Sequence, residues 1–114
     1  MLKSKTAVPK PPAHLRAATA RWWSEIVAEY ELESFHLRLL TKASESWDRS
    51  EQAREALVKH GLTFEDRFGS PRARPEVAIE RDSRIAFARL IRELGLEVAP
   101  PSDSRPNALR TNRA

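Results

Sequence analysis

Seven arginines, at positions 67, 72, 74, 81, 84, 89 and 92, share one stretch of the chain with only three acids, Glu76, Glu80 and Asp82, for a local charge of +4. Such a field suits the oxygens of phosphates, where many weak contacts add when several copies act together. The plainer reading is a solvated face with salt bridges inside or between subunits. A second basic group, Lys3, Lys5 and Lys10, stands in the first twelve residues without an acid. The candidate phosphate contacts are therefore Lys3, Lys5, Lys10, Arg67, Arg72, Arg74, Arg81 and Arg84.

Bond-making chemistry finds no matching pattern. His14, His36 and His60 fall in separate elements without metal-site spacing, and the chain has no cysteine to complete one. Gly61, Gly69 and Gly95 are too far apart for a phosphate-cradling loop, and no nucleophile elbow or zincin motif is present. Glu76, Glu80 and Asp82 read as partners of a helix dipole rather than as a general acid and base. Trp22, Trp23 and Trp47 all lie on apolar helix arcs, which reads as core packing rather than stacking on bases. No enzyme activity, cofactor or metal is expected.

The elements that position the arginines follow from punctuation and periodicity. The 114 residues allow one small domain, often completed by oligomerisation in chains of this size. Residues 1–12 carry +3 and residues 99–114 carry +2, which leaves a body at −1 out of the total of +4. The expected organisation is a flexible basic arm over 1–12, a helical domain over 13–98 and a flexible basic tail over 99–114. The basic start has no hydrophobic stretch behind it, so no signal peptide is read, and no apolar run is long enough to span a membrane.

Leu15, Trp22, Trp23, Ile26, Val27 and Tyr30 share one arc, which predicts a first helix over about 15–30. Ser34 is the expected N-cap of a second, long helix over about 35–60. Its inner face is small in the middle, at Ala43, Ser46, Ser50 and Ala53, so another helix can approach closely. Its opposite side, including Glu45, Asp48 and Glu55, is expected to be solvated. Gly61 ends that helix, and Arg74-Pro75-Glu76 begins a third one, which runs to Leu94 and stops at Gly95.

Between them, Leu62–Pro71 reads as a short β-hairpin whose Leu62, Phe64 or Phe68 must pack on the helices or on a neighbouring subunit. The third helix has Ile79, Ala86, Phe87, Leu90 and Leu94 on its main face. Val77, Ile85 and Ala88 lie almost opposite, as an expected oligomer interface. The predicted fold is thus mainly α, a three-helix domain with one long helix and a hairpin between the second and third helices.

In this arrangement the chain resembles the phage terminase small-subunit family of the short, mostly helical type. The resemblance is carried by Pro11-Pro12-Ala13-His14-Leu15, the Trp22-Trp23 helix, Leu37-Arg38-Leu39-Leu40-Thr41, Ala53-Arg54-Glu55-Ala56-Leu57 and Lys59-His60-Gly61-Leu62. It continues through Phe68-Gly69-Ser70-Pro71-Arg72-Ala73-Arg74-Pro75 and Arg89-Leu90-Ile91-Arg92-Glu93-Leu94-Gly95-Leu96, so it covers about residues 9–98. One departure is Arg16-Ala17-Ala18, which offers no acid or serine to cap the first helix. The resemblance implies a non-enzymatic, homo-oligomeric ring in the cytoplasm of a bacterial host. Such a ring binds double-stranded viral DNA and brings it to the terminase large subunit, which carries the ATPase and nuclease. The alternative is a helical protein-protein adaptor without direct DNA binding. A helix-turn-helix regulator fits less well, because the gap between the second and third helices exceeds the tight turn that motif needs.

Overall fold

The computed structural model describes residues 8–96. In order these form α1, Ala17–Glu29; α2, Ser34–His60; β1, Thr63–Glu65; β2, Pro71–Ala73; and α3, Pro75–Leu94. The mainly helical fold with a hairpin between the second and third helices is the expected one. Lys3 and Lys5 of the arm, and the whole tail assigned to 99–114, lie outside the described residues.

Small side chains decide the main packing. Ala43, Ser50 and Ala53 recur at helical spacing and are buried, and the antiparallel α2–α3 pair is the most extensive helix contact. At 27 residues, α2 is about 40 Å long. The largest buried cluster joins Leu15, Trp23, Leu40 and Leu94, with Ile26, Val27, Leu37 and Ile91 partly buried against it. It gathers α1, the first half of α2 and the end of α3. Trp23 also donates its indole N–H to Thr41 Oγ1 at 3.3 Å, and Tyr30 Oη donates to the Leu96 carbonyl at 2.9 Å.

Three local expectations need correction. Trp47 is not a core residue: it is 45% exposed, its ring at the edge of the α2–α3 seam against Phe87 at a centroid distance of 5.0 Å. The N-cap of α2 is Glu33 rather than Ser34, because Glu33 and His36 satisfy each other's amides, with the Glu33 N–H donating to His36 Nδ1 at 3.0 Å. The first helix begins at Ala17 rather than Leu15, after a turn in which the Leu15 N–H donates to the Pro12 carbonyl.

The missing cap of α1 is supplied from another helix. Asp48 of α2 accepts the Arg16 backbone N–H at 2.9 Å and the Thr19 hydroxyl. Beside it, Arg16 forks onto both oxygens of Glu55 at 2.9 and 3.0 Å, and His14 Nε2 lies 2.9 Å from Glu45. The side of α2 expected to face solvent is therefore the seam that holds the N-terminal segment. The Arg16 fork draws Glu55 below the usual carboxylate range and raises Arg16 itself. Burial opposes ionisation of Glu45, but hydrogen bonds from His14 and Lys42 outweigh it and lower its pKa.

Asp48→Ala removes a cap and leaves the buried Thr19 hydroxyl without its acceptor. The expected loss is about 1 to 3 kcal/mol in urea denaturation, with a smaller loss for Asp48→Asn, which keeps an acceptor oxygen. Equal stability of wild type and Asp48→Ala would show that the seam caps nothing.

Candidate nucleic-acid interface

Residues 61–74 build a projecting hairpin from a short list of turn chemistry. Gly61 leaves α2 at φ 87°, a conformation that glycine adopts without a side-chain clash. Thr63 pairs with Ala73, Phe64 with Arg72 and Glu65 with Pro71 in antiparallel register. At the tip the Gly69 N–H donates to the Asp66 carbonyl at 2.9 Å, and Gly69 takes φ 79°. Asp66 and Gly69 thus occupy the first and fourth positions of a β-turn, where those residues are favoured. Arg74 then serves as N-cap residue of α3, with Pro75 at its first position.

Asp66 organises the tip. Its Oδ1 accepts the backbone N–H groups of Phe68 at 2.9 Å and Ser70 at 3.0 Å, while Oδ2 accepts Arg72 Nε at 2.9 Å. The Ser70 amide, then the Arg72 guanidinium, hold the Asp66 carboxyl below the usual range. Because the folded-state pKa lies below the unfolded one, the clamp is fully present above the ordinary carboxylate range and is lost as pH falls through the folded value. The Phe68 and Ser70 amide resonances are expected to titrate together, at a midpoint below that of an aspartate in an unstructured peptide. A midpoint equal to the peptide's would show that the clamp does not form.

The pleat gives the hairpin two unlike faces. Successive side chains alternate, so Phe64 shares a face with its partner Arg72, and Thr63 shares the other with Ala73. Arg74 lies over Phe64 at 5.9 Å, and its Nε donates to the His60 carbonyl at the end of α2 at 3.3 Å. Arg67 lies 5.0 Å over the ring of Phe68. Both strands are exposed throughout, and Leu62, Phe64 and Phe68 are exposed rather than packed on the helices. Of the two expected alternatives, packing on the helices or on a neighbouring subunit, the first is not made within the chain.

The candidate cations divide by partner. Arg72 is paired with Asp66, Arg81 with Asp82 at 3.2 Å and Arg84 with Glu80 at 3.1 Å. Arg67 and Arg74 have no carboxylate partner among the described residues, and Lys10 is exposed. Composition had counted Arg72 as available because Asp66 stands just before the arginine-rich stretch. Phe64, Phe68 and Asp66 were missed as site residues, although the Asp-x-x-Gly spacing and the alternation of Leu62, Phe64 and Asp66 carried the signal.

On α3, Ile85 and Ala88 are exposed but Val77 is half-buried, so the expected oligomer strip is not uniform. Ile79, expected inward, is 40% exposed. The histidines remain apart, at Glu45, at the Glu33 cap and beside Arg74. No group of three His, Asp or Glu side chains among the described residues is arranged to hold a metal ion. None of the described helices is long and apolar enough to cross a membrane. Set against family models, curated proteins and solved structures, the chain matches none.

Proposed function

We propose that this chain is the small subunit of a tailed-phage or prophage terminase, a non-enzymatic protein of the bacterial host cytoplasm. Its copies assemble into a homo-oligomeric ring, bind double-stranded viral DNA and deliver it to the terminase large subunit. The observation that carries the DNA-binding part is the projecting hairpin, which holds Arg67 and Arg74, without carboxylate partners among the described residues, at the free end of the α2–α3 pair. The resemblance over residues 9–98 supports the packaging role. Exposed Ile85 and Ala88 offer apolar surface to a neighbouring copy.

One chain supplies few phosphate contacts, so useful affinity rests on repetition. Exposed Val58 and Leu62 beside the hairpin favour the second reading, a protein-protein adaptor. Fluorescence anisotropy with duplex DNA across a salt series, with an acidic polypeptide as competitor, separates the two. Terminase-like binding gives an affinity that falls with log salt at a slope of about −0.9 per phosphate neutralised, and a multimeric mass in light scattering. A salt-insensitive affinity or a strictly monomeric mass at micromolar concentration rejects the proposal.

A further inference from the structure

We infer that Phe68 is a wedge that enters the base stack of duplex DNA while Arg67 beside it, and Arg74 at the foot of the hairpin, engage phosphates. The inference rests on the reading that the hairpin meets DNA. Phe68 is 77% exposed at the tip of the turn, the most exposed aromatic ring among the described residues. The guanidinium of Arg67 lies 5.0 Å from its ring centre. Yet the backbone beneath it is held firmly: the Phe68 N–H is bound by Asp66, and the Asp66 N–H donates to the Ser70 carbonyl at 3.0 Å to close the loop. A large apolar ring is thus presented outward on a braced turn.

Charge selects the occupant. Arg67 lies over Phe68 and Arg74 over Phe64, neither with a carboxylate partner among the described residues, so a second copy offering the same tip would meet like charge. A duplex instead offers phosphates for the arginines and, between them, flat apolar base faces for the ring. The minor groove is about 6 Å wide, which admits a single turn of chain more readily than two paired strands with their side chains. Apolar wedges in that groove unstack a base step and kink the duplex. Asp66 has a defined part in this arrangement, because it holds the backbone from which Phe68 projects.

The full-length protein is titrated against two labelled duplexes of one sequence, one fully paired and one with a central mismatch. A wedge binds the mismatched duplex about tenfold more tightly, because part of the unstacking is already done. Phe68→Ala is expected to bind both duplexes equally with the wild-type salt slope, and Phe68→Leu to keep part of the preference. The exposed position leaves the melting temperature of both variants at the wild-type value. Wild type that binds with a steep salt slope but shows no preference overturns the wedge alone. So does a Phe68→Ala variant that keeps the preference, changes the mass of the assembly or loses only an acidic polypeptide. No salt-dependent binding to either duplex removes the DNA reading itself, and the wedge with it.

Discussion

Trp23→Ala is expected to lower stability by about 3 to 5 kcal/mol, the range for truncating a buried aromatic. Trp23 is 3% exposed and sits where α1, α2 and α3 meet, in the cluster with Leu40 and Leu94. Truncation opens a cavity and leaves Thr41 without its indole donor. A domain of this size has about 5 to 15 kcal/mol in total, so the variant should lie near the edge of folding. Trp47→Ala is the internal comparison. Trp47 is half outside the fold and leans on Phe87, so half-burial and the ring pair together limit its loss to about 1.5 to 3 kcal/mol. Urea denaturation followed by circular dichroism reads both without depending on tryptophan emission. Similar losses for the two would mean that α1 does not close the core as described.

The second large effect concerns binding. Replacing Arg67 with alanine together with Arg74→Gln is expected to reduce the salt slope of duplex binding by about 1.8 for each protomer that touches DNA, at about 0.9 per phosphate contact. Glutamine at 74 keeps a donor for the His60 carbonyl, so the charge is removed while the link between hairpin and α2 persists. Arg81→Gln with Arg84→Gln is the matched comparison, since those guanidinium groups already face Asp82 and Glu80. It should change the slope by less than half as much. An equal effect from the two pairs would return the binding surface to α3 as a whole.

In the proposed ring these differences would multiply. Each protomer would lose the same contacts, so a modest change per chain would become a large change in avidity if several hairpins reached one duplex. A mass measurement on each variant keeps the two effects apart.

Helix punctuation and apolar spacing determined the order of elements. Gly61, Pro75 and Gly95 act on their own backbone, and the small residues Ala43, Ser50 and Ala53 recur within one helix, so both signals are local and can be read along the chain. The turn at Asp66 and Gly69 is local in the same sense. Arginine content, likewise, marked the connector and α3 as the basic part.

Only the tertiary structure decided which charges are spent and which side chains are inside. Asp48 caps a helix that begins 31 residues earlier, at Ala17, and Glu55 holds Arg16 across the same seam. Neither pairing has a sequence spacing that periodicity can report. Trp47 shares an apolar arc with residues that are buried, yet it lies at the rim of the α2–α3 seam, 45% exposed against Phe87. The site shows the same division. Its arginines were legible as residue types, but the selection of Arg67 and Arg74, and the exposure of Phe68 between Arg67 and Gly69, depend on distances between side chains that composition does not contain.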